Sequence, residues 1–252
     1  MSELVDGFQP AYGVPVLLGL ALAFLFPSSK AFVRPEDKRA YRVIQVFTLV
    51  GAIVGAKLAV LFGDLGWPMT PLESARQIVF SGRSITGGLI GGFLTAEALK
   101  PLLRYPLPPN DRFATVLPFS VAIGRVGCVL AGCCRGTPFD GAWAVVDADG
   151  VARHPAPVYE MLFSLAVGVV FVVLLRKGLL RGRLFAVYLM TYGAFRFLVE
   201  IVRDTPDVAW GLSGYQLLAL SMLPLGLFGL LRRLPPLPEA EPLPTTPALE
   251  AP

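Results

Sequence analysis

Apolar residues gather into seven stretches, near 11–27, 43–62, 84–99, 113–134, 156–175, 184–201 and 212–231, parted by short polar, basic or Pro/Gly-rich links. Several approach the ~20 residues that a bilayer-spanning helix needs. The pattern predicts an all-α, polytopic integral membrane protein with about seven transmembrane helices. The third stretch is short and glycine-rich, which blurs its ends. The first does not read as a secretory signal: residues 1–10 hold no Lys or Arg, and the basic cluster follows the apolar run instead of preceding it. Residues 1–233 are expected to form one membrane domain. The tail 234–252, rich in Pro, Glu and Thr, cannot build a core and is expected to be disordered.

The links carry weaker signals. Segment 63–83 holds Trp67-Pro68 and Phe80, which suit a membrane interface. In segment 135–155, Ala142–Val146 followed by Asp147-Ala-Asp-Gly150 reads as a small hairpin capping the end of the fourth stretch.

Composition agrees with a membrane protein. Apolar residues make up 54% of the chain and charged residues only 16%, where a soluble domain carries about a quarter charged. The net charge of +4 calls for no nucleic-acid partner, because the basic residues fall into a topological pattern. Lys30, Arg34, Lys38, Arg39, Arg42, Lys100, Arg104, Arg112, Arg176, Lys177, Arg181, Arg183, Arg232 and Arg233 lie on one set of alternate links. Only Arg76, Arg83, Arg135, Arg153 and Arg203 lie on the other. By the positive-inside rule the N-terminus faces outward and the C-terminus the cytoplasm. An odd number of spans agrees.

The candidate chemistry centres on Gly124-Arg-Val-Gly-Cys-Val-Leu-Ala-Gly-Cys-Cys-Arg-Gly136. Arg125 lies within an apolar run, where an arginine costs about 3 kcal/mol or more unless it faces protein, water or an anion. All three cysteines follow within nine residues, and four glycines clear space around them. They make neither a disulfide framework nor a zinc spacing, and a single histidine argues against a His-rich metal site. On a straight helix Cys128 and Cys133 differ by about 500° of rotation, so their thiols diverge. Three free thiols, one or two of them lining a pocket above Arg125, are the reading of least strain.

Other spans also carry charge. Glu160 is early in the fifth; Arg196 and Glu200 in the sixth are four apart and share a face. The topology puts Arg125, Glu160, Arg196 and Glu200 at one outward depth, with His154 just before the fifth span. Two arginines neutralised by two carboxylates would explain the group, as would a pocket for an anion. Lys57 and Glu97 fit snorkelling or pairing near the cytoplasmic side. The glycines of Thr86-Gly-Gly-Leu-Ile-Gly91 fit helix packing or exposed amide donors for an oxyanion.

Thr86–Gly91, Gly124–Gly136, His154-Pro-Ala-Pro-Val-Tyr-Glu160 and Tyr192-Gly-Ala-Phe-Arg-Phe-Leu-Val-Glu200 with Arg203, in that order, resemble bacterial prolipoprotein diacylglyceryl transferases. The resemblance runs from Tyr12 to about Leu231. It implies a bacterial plasma-membrane (inner-membrane) enzyme. Such an enzyme moves the diacylglyceryl group of phosphatidylglycerol onto the thiol of a preprolipoprotein lipobox cysteine, releasing glycerol phosphate, with no metal or organic cofactor. Its partners would be phosphatidylglycerol, lipobox segments and the lipid bilayer. Carried over by position, Arg196, Thr86, His154 and Glu200 fall at catalytic positions. Arg125, Tyr12, Gly87, Gly88, Cys128, Gly136 and Arg203 fall at substrate-binding ones. The chain departs from the family at Thr86, where histidine is usual; at Cys128, for asparagine; at Cys133, for an acidic residue; and at Lys57, for arginine. A transferase with another acceptor, and a phospholipid-binding membrane protein or transporter without catalysis, stay open beside the main reading.

Overall fold

A computed structural model describes residues 14, 18, 37–63, 84–108, 111–147 and 149–235. The first apolar stretch apart from Val14 and Leu18, the segment 64–83 expected at the interface, and the tail beyond 235 lie outside them, as does Tyr12. The described residues form helices α1 (Lys38–Gly63), α2 (Ile85–Leu102), α3 (Asp111–Leu130), α4 (Ala156–Arg176), α5 (Leu184–Glu200) and α6 (Gly214–Leu231). Two small hairpins join them: β1 (Val145–Val146) with β2 (Ala152–Arg153), and β3 (Asp207–Ala209) with β4 (Leu212–Ser213), both antiparallel. The first hairpin turns where Asp147–Gly150 predicts it. The second has no counterpart in the sequence reading.

The protein is thus mostly helical, and α1, α3 from Phe113, α4 and α6 are each long and apolar enough to cross a membrane. Between their ends, most of their exposed residues are themselves apolar. On α1, Val46, Phe47, Val50, Ile53, Val54 and Leu58 all face outward, an arrangement that hydrocarbon tolerates and water does not. Helix α5 takes the central place. It packs on α6 and also touches α2, α3 and α4, and it buries residues along its whole length, from Leu184 to Glu200. Tyr188, Leu189 and Tyr192 of α5 meet Leu89 and Phe93 of α2, Val167 and Phe171 of α4, and Met222 of α6 in the main apolar core.

Small residues set the closest helix contact. Gly51 and Gly55 of α1 face Gly87 and Gly91 of α2, two small-xxx-small pairs of the kind that let backbones meet in a membrane. A Cβ on Gly91 would stand 2.9 Å from the Gly55 Cα, a backbone atom that cannot yield. Packing therefore accounts for Gly87, whose Cβ would run into Ala59 and the Gly55 carbonyl. Gly88 looks toward Ala52 and Ala56 at ordinary contact distance.

Helix ends are tied by polar side chains. Ser84 caps α2 by accepting from the Gly87 N–H at 3.2 Å. Ser213 and Gln216 form a capping box at the start of α6. At the other end of the bundle the buried Asp111 accepts from the N–H groups of Gly182 and Leu184, the latter at 3.0 Å, and so fastens α3 to the start of α5. Burial pushes this carboxyl up to about 6, against the opposing pull of those backbone donors. Glu97 pairs with Lys100 and, at 2.9 Å, with Arg232, one of the two readings left open for it.

The fourth stretch does not run as a helix to residue 134. Helix α3 ends at Leu130, and Gly132 then takes a left-handed φ of +60°. This glycine turns the chain back on itself and moves both following cysteines off the helix path.

Two outcomes follow. Gly91→Leu forces α1 and α2 apart and should lower stability by about 3 kcal/mol, read as a lower unfolding midpoint in detergent. Gly92→Ala, whose Cβ would find its nearest neighbour at an ordinary 3.4 Å, should leave the midpoint in place. For Asp111, a folded pKa of about 6 against an ordinary 3.8 means that the folded state holds the proton longer. Stability should therefore fall as pH rises through that window, and Asp111→Asn should flatten the slope of midpoint against pH there.

Candidate functional site

Three helices deliver charge to one end of the bundle. Arg125 lies in the last turns of α3, Glu160 in the first turns of α4, and Arg196 and Glu200 in the last turns of α5. Arg203 follows where the chain leaves α5. All are buried or nearly so; Glu160 is wholly inaccessible. Glu160 pairs with Arg125 and lies 3.7 Å from Arg203 and 4.0 Å from Arg196. Glu200 pairs with Arg196 and, at 3.3 Å, with Arg203. The cluster holds three guanidiniums against two carboxylates. The sequence reading joined the first four residues; the structure adds Arg203 as a full member and leaves one cationic charge in excess.

Neighbouring side chains hold the network in place. Thr205 donates to Glu200 at 2.8 Å, and Ser213 donates to the same oxygen at 3.3 Å. The Arg196 guanidinium lies 5.5 Å from the centre of the Tyr215 ring, a cation–π contact. These three residues escaped the sequence reading. The one signal available was Ser213-Gly-Tyr-Gln216, a capping-box pattern that marks the start of α6 and brings Ser213 and Tyr215 to the cluster.

The cysteines lie directly against the arginines. Arg125 donates to the Cys128 sulfur at 3.5 Å and to the Cys134 sulfur at 3.8 Å. The Cys133 and Cys134 sulfurs are 3.7 Å apart, and all three sulfurs lie within 4.8 Å of one another. All three thiols are free, as expected, but they do not diverge. The turn at Gly132, not a continued helix, sets their geometry. A cavity of about 330 Å³ opens beside them, lined by Cys133, Cys134, Arg135, Arg203, Asp204, Thr205 and Tyr215.

The remaining predicted residues sit around this centre. Thr86 is buried in the first turn of α2, and its hydroxyl has no hydrogen-bond partner among the described residues. It shares no ion pair or hydrogen bond with the arginine cluster there. His154 stacks on Phe139, with ring centres 3.9 Å apart, and its Nδ1 lies 3.1 Å from the Tyr159 hydroxyl, which also accepts from Trp143 at 2.8 Å. Its ring thus belongs to an aromatic cap on the cluster. Gly136 bridges to Arg203, and a Cβ there would meet the His154 Cβ at 2.7 Å and the Val202 carbonyl at 2.9 Å. Gly136 therefore lets the segment after α3 pack on the segment after α5, which fixes Arg203.

Comparison with known proteins bears on the chain as a whole. A family model described as prolipoprotein diacylglyceryl transferase matches residues 9–232. A protein of Bordetella parapertussis named phosphatidylglycerol–prolipoprotein diacylglyceryl transferase is 32% identical over 233 residues, covering 84% of this chain and 86% of the relative. Proteins of the same name from Aeromonas hydrophila and Solidesulfovibrio magneticus are each 32% identical, over 80% and 89% of this chain and 76% and 90% of their own lengths. The match includes the helices that carry Arg125, Glu160, Arg196 and Glu200, and on this extent of similarity the chain belongs to the prolipoprotein diacylglyceryl transferase family.

Proposed function

We propose that this chain transfers the diacylglyceryl group of phosphatidylglycerol to the lipobox cysteine thiol of preprolipoproteins and releases glycerol phosphate. It does so as a seven-span protein of the bacterial inner membrane, with its N-terminus outside and its C-terminus in the cytoplasm. The observation that carries this reading is the buried cluster of Arg125, Arg196 and Arg203 around Glu160 and Glu200, next to an open cavity. The donor lipid and the leaving group are both phosphate anions. Planar guanidiniums bind phosphate oxygens through paired hydrogen bonds and offset charge as it builds on the leaving oxygen.

Within the cluster the residues divide the work. Arg125 and Arg203 hold the lipid phosphate; Arg203 lines the cavity and Arg125 lies behind it, against the cysteines. Arg196, fixed by Glu200 and Tyr215, adds charge to the transition state. Glu160 holds the guanidiniums in place before lipid arrives, so little reorganisation is left for the reaction. The acceptor thiol gives up its proton to water, its sulfur bonds to the glyceryl carbon, and the carbon–oxygen bond to phosphate breaks with its electron pair leaving on oxygen. Thr86, and Tyr12 outside the described residues, line the lipid path in this reading, with Gly87 and Gly88 setting how closely α2 approaches α1. His154 and Gly136 support the cap.

Arg125→Ala should lower transfer of labelled glycerol lipid to a lipobox peptide by about 100-fold or more at matched membrane levels. Arg125→Lys should restore little, because an ammonium lacks the two-pronged geometry. Full transfer in Arg125→Ala would remove the phosphate assignment. The activity itself is read by complementation of a strain depleted of its own transferase: growth supports it, and intact lipid binding without growth or transfer favours a non-catalytic lipid-binding protein. For the topology, a fluorescent protein that matures only in the cytoplasm should glow when fused after Arg233, and alkaline phosphatase fused there should be inactive.

A further inference from the structure

The transferase reading needs a thiolate as nucleophile, and the described site offers no free base to make one. The chain's single histidine is stacked in the aromatic cap. Glu160 and Glu200 are both engaged with arginines. What the site does hold is a second cluster that this reading leaves unused: three sulfur atoms gathered on one side of Arg125.

Its geometry suits a metal. Tetrahedral zinc with sulfur ligands at about 2.3 Å needs sulfurs about 3.8 Å apart. The Cys133–Cys134 pair stands at 3.7 Å, and Cys128 completes a triangle with no side above 4.8 Å. Cys134 reaches its place only through a left-handed backbone, φ +61°, which a residue with a β-carbon adopts at a cost. The Arg125 guanidinium is aimed at two of the three sulfurs. Such N–H···S contacts are the usual outer support of a metal–thiolate site. Two of the three residues also line the cavity, so a metal held by them would have an open side. Three protein ligands with one open position is the arrangement of reactive zinc, whereas purely structural zinc is closed by four.

We propose that Cys128, Cys133 and Cys134 together bind one zinc ion, whose fourth position faces the cavity and takes the lipobox cysteine as its thiolate. This rests on the transferase reading above. A thiol bound to zinc loses its proton, here to water in the cavity. The sulfur electron pair forms the bond to the glyceryl carbon, and the carbon–oxygen bond breaks toward phosphate. The product thioether is a neutral, weaker ligand and leaves. Negative charge thus passes from a sulfur to a phosphate that both face Arg125 and Arg203, and the proton released at binding balances the charge gained by glycerol phosphate. Nothing is oxidised or reduced.

The test uses the full-length protein, purified with reductant and then stripped of metal and reductant. One equivalent of zinc should protect all three cysteines from maleimide, and cobalt(II) should give an intense thiolate-to-cobalt absorption. Adding a lipobox peptide should strengthen that band as a further sulfur joins, and its Cys→Ser form should not. Chelation should lower transfer by about 100-fold, the scale of a lost base, with recovery on adding zinc; Cys128→Ser should lose both the cobalt band and transfer. The proposal is overturned by any of four results: no cobalt band, a band that the peptide leaves unchanged, full transfer by metal-free protein, or a Cys133–Cys134 disulfide in protein isolated without reductant. Because the cobalt readout needs no turnover, a peptide-responsive band with no transfer under any metal condition supports the metal site and counts against the transferase activity alone.

Discussion

Burying charge decides how this molecule is built. An ion taken out of water loses several kcal/mol of solvation even after the protein relaxes, and a single partner seldom restores it. Arg125, Arg196 and Arg203 are withdrawn from solvent together with Glu160 and Glu200, so each charge must find more than one neighbour. Glu160 answers all three arginines and Glu200 two of them. That requirement brings the ends of α3, α4 and α5 to one point, and the hydroxyls of Thr205 and Ser213 fix the second carboxylate there. A network of this kind is poor value for stability alone, since well-packed apolar residues would serve as well or better. In the function proposed above, its worth lies in holding guanidiniums rigidly where they can bond a phosphate.

The rest of the fold serves that point. Glycine faces on α1 and α2 let two backbones meet where neither water nor a hydrophobic driving force would draw them together. Helix α5, buried along its length, passes through the centre and carries Arg196 and Glu200 at its end. The segments after α3 and after α5 cross at Gly136 and Arg203, and the aromatic stack around His154 closes over the crossing. The lipid-facing side chains can vary in shape so long as they stay apolar. The crossing cannot, because a β-carbon at Gly136 has no room.

The sequence by itself determined the material and much of the site. Apolar runs of bilayer length placed the described helices to within a few residues, apart from the overlong fourth stretch, because in hydrocarbon every backbone group must bond within its own helix. Charges inside those runs marked the site for the same reason: each must be matched, so Arg125, Glu160, Arg196 and Glu200 could be grouped before any coordinates. The turn at Asp147–Gly150 was legible because it rests on residues a few positions apart; the capping box at Ser213 is as local but went unread. Tertiary structure decided what depends on distant segments. Nothing local says that Arg203, outside any span, turns inward to two carboxylates, or that Thr205 and Ser213 meet at Glu200. The cysteines mark the boundary most sharply. Their spacing projects three diverging thiols on a straight helix, yet one left-handed glycine at position 132 ends the helix early and folds the sulfurs into a triangle. Left-handed backbone at Gly132 and again at Cys134 redirects the side chains that follow, and the spacing of the cysteines along the chain does not announce it.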